Sequence, residues 1–296
     1  MIKRILVTGK FGQLGQSMQK LAQEYPQFDF QFVGRDELDL SQPELVKQKL
    51  SHYQFDALIN CAAYTAVDKA ETEQELADAI NHHSVGQLAQ VAKDNNALLI
   101  HISTDYVFDG QNYKPYQTSD AVKPVNTYGD SKLKGEQAIH TASPSALIIR
   151  TSWVYSEFGH NFVKTMLKLG QEREQLNIVA DQVGSPTYAT DLAVAILEAL
   201  CCISNQPEEG DSVKIYHFSN EGICSWYDFA KAIFELKEID CAVNPIGTQD
   251  YPAPAKRPHY SVMDKTNIKQ AFGISIPYWK DSLAVCLKGL EKQHAK

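Results

Sequence analysis

The sequence has no long hydrophobic run and no excess of basic residues. No stretch of its 296 residues approaches the roughly 20 apolar residues of a membrane-spanning helix. A strand pattern begins within three residues of Met1, so we expect no signal peptide and no membrane partner. The net charge of −8, from 28 basic and 36 acidic residues, argues against nucleic acid as a partner. The net charge does not exclude an anionic small molecule as a ligand, because binding one needs only a local cluster of hydrogen-bond donors.

Cysteine is scarce and shows no pattern. None of the six cysteines stands in a Cys-x-x-Cys pair, so zinc and dithiol redox motifs have no support. Cys201 and Cys202 are adjacent and would form a strained disulfide. We therefore expect free thiols and a cytoplasmic location. His82 and His83 have no matching ligand cluster in the sequence, and no metal site is predicted there.

The first half of the chain alternates apolar runs with amphipathic stretches. The apolar runs predict strands at 3–8, 28–33, 57–60, 97–103 and 146–150. Helix patterns between them cover 13–24, 73–95 and 128–140. A further helix is expected after Ser41 as its N-cap, with Pro43 early in the helix and Glu44 at the capping-box position.

Three glycines follow the first predicted strand at three-residue intervals, in the segment TGKFGQLG. Gly9, Gly12 and Gly15 stand between this strand and the next helix. Glycines allow the backbone to approach a pyrophosphate, and the helix N-terminus offers free N–H groups. The pattern favours a dinucleotide site over an ordinary strand–helix turn.

These elements predict an α/β fold with a doubly wound parallel sheet of the Rossmann type. The second half is less regular, with helix patterns at 161–172, 191–202, 225–239 and 279–292 and short strands at 177–180 and 215–219. Residues 244–260 hold four prolines and are predicted to be a loop. We expect a dinucleotide-binding domain from 1–152 and roughly 187–235, and a smaller substrate-binding domain from 153–186 and 236–296.

Tyr128 and Lys132 are the strongest indication of chemistry. Their four-residue spacing places both side chains on one face of a helix. A neighbouring ammonium favours the phenolate, so the pKa of the tyrosine is expected to fall. Such a pair can exchange a proton with a carbonyl oxygen or an alcohol. Tyr227 and Lys231 repeat the spacing, and we interpret that second pair as part of a surface helix.

Ser103 and Thr104 stand at the carboxyl end of the fourth predicted strand, where a hydroxyl can face a cofactor and a reacting carbonyl. The glycine turn, this hydroxyl and the Tyr/Lys helix follow one another in the order found in short-chain dehydrogenases. The chain resembles the extended short-chain dehydrogenase/reductase family over nearly its whole length. The segments that carry the resemblance are TGKFGQLG, NCAAYTAVDKAE, HISTDYVFDG, NTYGDSKLKGE, RTSWVY, NFVKTML, DQVGSPTYATDLA and RPHYSVMD.

The resemblance implies NAD(P)H-dependent reduction of the C4 keto group of dTDP-4-dehydro-6-deoxy-L-mannose. Tyr128 would donate the proton, Lys132 would adjust its acidity and hold the nicotinamide ribose, and Thr104 would bond the same oxygen. Ser103, Thr104 and Trp153 would contact the dTDP-sugar. The residues implied to hold the cofactor are Phe11, Gly12 and Gln13 at the pyrophosphate, Asp39 and Leu40 at the adenine, and Ala62, Ala63 and Tyr64 along the groove.

Arg257 is a further substrate candidate, because its planar guanidinium can hold phosphate oxygens from a proline-rich loop. A solvated surface arginine is the alternative. The weaker candidates for the diphosphate and thymine are Asn161, Gln182 and Lys69.

Arg35 follows the second strand, where an arginine accommodates the 2′-phosphate of NADP. Asp36 comes next and suits NAD instead, so we predict NADPH with NADH tolerated. Some relatives in this family are described with Mg²⁺ held by glutamates at a subunit contact, and a homodimer is common. Gln16 and Thr190 stand at two such places in this chain. Neutral side chains bind a hard cation poorly, so we expect no Mg²⁺ there.

Three other functions remain open at the level of sequence. A sugar-nucleotide 4,6-dehydratase would carry Asp-Glu after the threonine, whereas here Asp105 is followed by Tyr106. A UDP-sugar epimerase would retain NAD through its cycle. A relative that acts as a regulatory subunit of methionine adenosyltransferase would need no catalytic residues.

Overall fold

The computed structural model of the chain describes residues 2–142, 144–205 and 213–294, and six parallel strands form its central sheet. The strands are β1 (Arg4–Thr8), β2 (Asp29–Val33), β3 (Ala57–Asn60), β4 (Leu98–Thr104), β5 (Ala146–Thr151), β6 (Val154–Tyr155), β7 (Gln175–Val179), β8 (Val183–Gly184), β9 (Thr187–Tyr188), β10 (Val213–His217), β11 (Cys224–Ser225) and β12 (Ala242–Ile246). The helices are α1 (Gln13–Leu21), α2 (Pro43–Leu50), α3 (Val67–Ala70), α4 (Gln74–Asp78), α5 (Ser84–Asp94), α6 (Thr127–Ala142), α7 (Phe162–Glu172), α8 (Ala189–Asn205), α9 (Trp226–Lys237), α10 (Thr266–Phe272) and α11 (Trp279–His294).

The central sheet is covered on both faces, as its apolar strands require. Every residue of β3 and β5 is buried, which is typical of parallel strands between two helix layers. Side chains alternate between the faces, so Ile5 and Val7 pack with α1, α8 and α10, while Leu6 packs with α2, α5 and α6. The prediction of a doubly wound α/β fold is confirmed.

The strand order, β2-β1-β3-β4-β5-β10, creates a crevice at one end of the sheet. The chain moves from β1 to β2 on one side and returns to β3 on the other. At such a switch point the connections diverge, and ligands bind outside the carboxyl ends of the strands. The glycine turn after β1 lies at this point.

A smaller lobe covers the crevice. Its backbone forms three two-stranded sheets, β6 with β9, β8 with β11 and β7 with β12. A separate core, which includes Tyr155, Phe229, Leu283 and Trp279, joins these strands to α7, α9 and α11. The packing of α9 in this core favours placing it with the smaller lobe, whereas the domain limits as a whole remain a prediction.

A π-helical turn at Ala79–His83 interrupts the helix expected over 73–95. The extra residue in this turn directs Asn81 inward, where its Nδ2 donates to the Tyr64 carbonyl at 3.0 Å and to Ser131 Oγ at 3.0 Å. Its Oδ1 accepts from the Tyr64 N–H at 2.9 Å. These tertiary hydrogen bonds explain a break that local helix propensity does not predict.

The same turn brings His82 and His83 to the carboxylate of Asp78, so the expectation that these histidines have no matching ligand cluster is wrong. His82 Nδ1 lies 3.2 Å and His83 Nε2 lies 3.0 Å from Asp78 oxygens. Lys134 Nζ lies 3.5 Å from the same carboxylate. Because the ammonium of Lys134 already lies beside this carboxylate, we interpret the group as a polar surface cluster and not as a metal site.

Two further local predictions are wrong. Ser41 does not cap a helix, because its Oγ donates to Asp39 Oδ1 at 2.8 Å and α2 begins at Pro43 after Gln42. The predicted loop at 244–260 begins too early, because Pro245 lies inside β12. A proline is compatible with a strand at a sheet edge, where its missing N–H faces away from the partner strand.

Two further observations concern the thiols and the helices. All six cysteines are free. Across the described ranges, no helix combines the length and apolar character needed to cross a membrane.

Candidate active site

A cavity of about 820 Å³ opens at the carboxyl ends of β1, β3 and β4. The glycine turn and the residues after β2 line one part of it, and Tyr128 and Lys132 line another. Trp153 and Trp226 close it from the side of the smaller lobe. The cavity therefore brings the predicted cofactor and catalytic residues together at the switch point of the sheet.

The glycine turn allows the protein backbone to come close to a ligand. Gly9 has a φ of +74°, and a Cβ there would lie 2.8 Å from the Ala62 nitrogen. A Cβ on Gly15 would lie 2.2 Å from the Gly9 carbonyl oxygen, so this glycine allows α1 to pack against the turn. Gly12 precedes α1 without a side-chain cap. These features fit a dinucleotide pyrophosphate, which such turns hold through backbone N–H groups.

Phe11 and Gln13 both line the cavity but in different ways. Phe11 is 66% exposed, and Lys10 Nζ lies 4.9 Å from its ring centroid. Gln13 Nε2 donates to the Val154 carbonyl at 3.2 Å, and its Oε1 accepts from Ser156 and Asn161 at 2.9 Å each. The Gln13 side chain thus joins the glycine turn to the smaller lobe.

The residues after β2 form the far wall. Arg35 lines the cavity with a side chain that is 76% exposed, and its Nε lies 3.3 Å from Asp39 Oδ2. Asp39 also accepts from the Ser41 N–H and hydroxyl. Leu40 is buried and lines the cavity beside Leu38. This wall combines an apolar surface with one exposed guanidinium, as an adenosine with a phosphate substituent would require.

After β3, Ala62 and Ala63 line the cavity and Tyr64 does not. The Tyr64 hydroxyl donates to Glu73 Oε2 at 2.7 Å, on the side of α4. Small side chains at 62 and 63 leave the groove open, while Tyr64 fixes the segment through its backbone bonds to Asn81.

Tyr128 and Lys132 lie in the first turns of α6 and face the cavity together. Lys132 is 1% exposed. Its Nζ donates to the Ile102 carbonyl at 2.6 Å and lies 3.1 Å from His101 Nε2. The Tyr128 ring packs edge-on against Tyr106, with centroids 5.5 Å apart.

Burial dominates the acidity of this pair. Burial lowers the pKa of Lys132 to about 8, and the charge of Glu136 opposes that shift. Burial raises the pKa of Tyr128 to about 12, while the Thr104 hydroxyl lowers it and Asp105 raises it. This direction is opposite to the one expected from a neighbouring ammonium. Tyr128 therefore keeps its proton at neutral pH, which suits a proton donor in a reduction.

Ser103 and Thr104 line the cavity at the end of β4. Ser103 Oγ donates to Glu136 Oε1 at 2.5 Å, so its hydroxyl is engaged below the cavity. Thr104 Oγ1 donates to Asp105 Oδ1 at 3.0 Å and accepts from the Tyr106 N–H at 3.2 Å. Burial raises the pKa of Asp105 to about 7, although hydrogen bonds from Thr104 and Ser261 lower it. Asp105 and Tyr106 are cavity residues that the sequence prediction did not assign.

Trp153 is held in a left-handed backbone conformation, with a φ of +49°. Its ring stacks on Trp226 with centroids 3.6 Å apart and planes at 11°. On another side a Cβ at Gly184 would lie 2.9 Å from Trp153 Cζ2. Trp226 comes from α9, far along the chain, and no local pattern marked it as a site residue.

Arg257 lies outside the set of described residues that line the cavity. Its guanidinium pairs with Asp68 at 2.7 Å and donates to the Ala255 carbonyl at 3.3 Å. Lys69, Asn161 and Gln182 also lie outside that set. Asn161 caps α7 through the Lys164 N–H at 3.1 Å, and Gln182 Nε2 donates to Thr248 at 3.1 Å.

Comparisons with known proteins agree over nearly the full chain. Residues 3–292 match the family model described as RmlD substrate binding domain. The dTDP-4-dehydrorhamnose reductase of Aggregatibacter actinomycetemcomitans is 42% identical over 95% of this chain and 97% of its own length. That of Escherichia coli K12 is 41% identical over 93% and 94%. A crystal structure of the Bacillus anthracis str. Ames reductase in complex with NADP superposes with a TM-score of 0.89, at 37% identity over 98% of this chain and 100% of that one.

Proposed function

The chain belongs to the RmlD substrate binding domain family, and on that premise we propose that it reduces dTDP-4-dehydro-6-deoxy-L-mannose to dTDP-L-rhamnose, the last step of dTDP-rhamnose biosynthesis. It is an oxidoreductase that uses a nicotinamide cofactor. One observation carries the proposal: the Tyr128–Lys132 pair lines the same cavity as the glycine turn and Trp153.

Each of the cavity residues has its own role in the proposed reduction. When bound, the reduced nicotinamide supplies the hydride. Tyr128 gives its proton to the C4 oxygen and so removes the charge that develops there. Thr104 bonds the same oxygen, and Lys132 stabilises the phenolate that remains. Trp153 offers an apolar face to the 6-deoxy sugar. Alignment of donor and carbonyl in one cavity contributes much of the rate.

The alternative functions are less well supported. A 4,6-dehydratase needs a second carboxyl group beside Asp105, and that position holds Tyr106, whose ring packs on Tyr128. An epimerase and a regulatory subunit are disfavoured because the relatives that are 42% and 41% identical to this chain are named as reductases. The regulatory alternative also leaves Tyr128 and the buried Lys132 without a role.

The cofactor preference rests on Arg35. Its guanidinium lines the cavity and is exposed beyond its contact with Asp39, which leaves donors for a 2′-phosphate. The reductase from Bacillus anthracis str. Ames was solved with NADP. We therefore propose NADPH as the preferred cofactor, with NADH accepted at lower efficiency.

One assay tests both the activity and the cofactor. Purified protein mixed with dTDP-4-dehydro-6-deoxy-L-mannose is expected to consume NADPH, seen as loss of absorbance at the nicotinamide band. The ratio of kcat/KM for NADPH to that for NADH is expected to exceed one, and a strong NADH preference would contradict the role of Arg35. A tightly bound NAD that survives purification and is not consumed would indicate the epimerase.

Arg257 is proposed to contact the substrate diphosphate after leaving Asp68. Its position supports this: burial raises the pKa of Tyr106, a cavity residue, and the charge of Arg257 is near enough to oppose that shift. We expect Arg257→Ala to raise the Kd for the nucleotide-sugar on the order of tenfold, the effect of losing one charged hydrogen bond, while the Kd for NADPH stays nearly constant.

Lys256→Ala is the matched control for Arg257, because it removes the same charge from an exposed neighbour in the same loop. It should change neither Kd. Equal weakening of both ligands by Arg257→Ala would assign the arginine to the fold, through Asp68, and not to the substrate. The cytoplasmic location and a homodimer remain predictions; the six free thiols support the former.

A further inference from the structure

Three buried polar side chains lie side by side on neighbouring strands, near the carboxyl ends of β1 and β3. Thr8, Asn60 and His101 lie on β1, β3 and β4 in the same register, Thr8 opposite Asn60 and Asn60 opposite His101. All three are at most 2% exposed. We call them the polar row. The row ends at Lys132, and such a buried network must satisfy every donor and acceptor to be stable.

The hydrogen bonds of the row fix the orientation of Asn60. Its Oδ1 accepts from Thr8 Oγ1 at 2.6 Å and from the Ala62 N–H at 3.3 Å. Its Nδ2 therefore faces His101 Nδ1, at 3.0 Å. An amide nitrogen only donates, so His101 Nδ1 must accept.

That contact in turn fixes the proton on the imidazole. Burial, with the nearby charge of Lys132, lowers the pKa of His101 well below its ordinary value, so the ring is neutral. A neutral ring that accepts at Nδ1 carries its proton on Nε2. The Nε2–H then points at Lys132 Nζ, 3.1 Å away.

An N–H donor has opposite effects on the two forms of a lysine. It bonds to the lone pair of an amine, and it repels an ammonium, which offers no acceptor. The second partner of Nζ, the Ile102 carbonyl at 2.6 Å, accepts from either form. The polar row thus disfavours the ammonium form of Lys132, the residue that stabilises the Tyr128 phenolate.

We propose that His101 is a positioning residue that shifts the protonation equilibrium of Lys132 toward the amine by donating to it from Nε2. Asn60 holds the ring in the required tautomer, and Thr8 and the Ala62 N–H hold Asn60. Lys132 then changes charge near the working pH instead of remaining a permanent cation. The part of this inference that concerns turnover rests on the proposed reductase activity, whereas the tautomer does not.

Other titratable groups also surround Lys132. On α6 they are Tyr128 and Glu136, and Glu136 is paired with Arg150. Asp105 and Cys61 line the same cavity. Glu136 favours the ammonium form of Lys132. Burial and the N–H donor of His101 both oppose that form.

The first test reads the tautomer and needs no activity. Nitrogen-15 NMR of the imidazole rings distinguishes a protonated ring nitrogen from a bare one, and the spectrum of His101→Leu identifies the resonances of His101 among the nine histidines. In the wild-type protein at neutral pH we expect a proton on Nε2 and none on Nδ1. A proton on Nδ1 would refute the proposal even if the enzyme is fully active.

The second test reads the effect on Lys132. A plot of kcat/KM against pH should fall at high pH, and we call this fall the basic limb. It should report loss of the Lys132 proton, because the pKa of Lys132 is near 8 and that of Tyr128 is near 12. In His101→Leu the limb should move to higher pH by about one unit. A limb that stays in place while kcat merely falls would show a packing role only, and a shift to lower pH would show the opposite tautomer.

His217→Leu is the matched control. His217 is equally buried on β10, two strands away from β4, and its Nδ1 lies 3.1 Å from the Tyr116 carbonyl. This variant should lose stability without moving the limb.

Asn60→Asp tests the tautomer by changing it while the imidazole stays in place. A carboxylate accepts from Nδ1–H, so it should transfer the ring proton to Nδ1 and leave Nε2 free to accept from the ammonium. The limb should again move to higher pH, and NMR should show the changed tautomer. In a His101→Leu background the added Asn60→Asp change should give no further shift; a full shift there would mean that the carboxylate acts through space, and would refute the route through the imidazole.

Discussion

Tyr128→Phe is expected to lower kcat by about 10²–10⁴-fold, the usual contribution of a positioned proton donor. The change removes one oxygen from a residue that burial keeps protonated at neutral pH. Neither Lys132, held by the Ile102 carbonyl, nor Thr104, bonded to Asp105, stands in the same place. Steady-state kinetics with saturating NADPH would give the effect on kcat.

The cofactor should still bind to the variant. Its contacts in the glycine turn and beside Arg35 do not involve the lost hydroxyl, so the Kd for NADPH should stay within about twofold of wild type. Tyr227→Phe is the control, because Tyr227 and Lys231 repeat the spacing on α9 outside the cavity lining of the described chain. Near-wild-type turnover in Tyr128→Phe would rule out the assigned role.

The second large effect concerns stability. Glu136→Gln is expected to cost about 3–5 kcal/mol of unfolding free energy, because it leaves the charge of Arg150 buried without compensation. Glu136 accepts from Arg150 Nε at 2.9 Å, from a second guanidinium nitrogen at 2.7 Å and from Ser103 Oγ at 2.5 Å. Both members of the pair are 2% exposed. The contact joins α6 to β4 and β5 below the catalytic residues.

Urea unfolding followed by circular dichroism measures this cost as a lower midpoint. Asp94→Asn, which breaks the exposed pair of Asp94 with Lys47, should leave the midpoint almost unchanged, since surface pairs contribute little. Replacing both partners, as Glu136→Leu with Arg150→Met, should recover much of the loss. An unaltered midpoint in Glu136→Gln would mean that the guanidinium finds water or another partner.

The sequence predicted those parts of the fold that depend on local patterns. The central strands are continuous apolar runs, and the glycine turn has a fixed spacing, so both were found with small errors at their ends. Tyr128 and Lys132 were found because a four-residue interval on a helix is itself a spatial relation. The resemblance to a known family supplied the residues that have no local pattern, such as Trp153.

The errors come from tertiary contacts. The π-helical turn follows from the inward bonds of Asn81, and the pairing of Tyr64 with Glu73 follows from how two loops meet. The direction of the Tyr128 pKa shift was wrong because burial, which dominates it, is not visible in a four-residue interval. Trp226 was missed for a related reason: it reaches the cavity from α9, where it looks like an ordinary aromatic residue of an amphipathic helix.

Pro245 has a consequence beyond secondary structure. It lies in β12, whose only strand partner in the described chain is β7. An open strand edge can template growth by a strand from another molecule, which is a common start of aggregation. Without an N–H at this position, the outward edge lacks one of the donors that an incoming strand would need. Pro245→Val should therefore make concentrated or heated protein more prone to form β-rich aggregates, although residue 245 is not among the described residues that line the cavity.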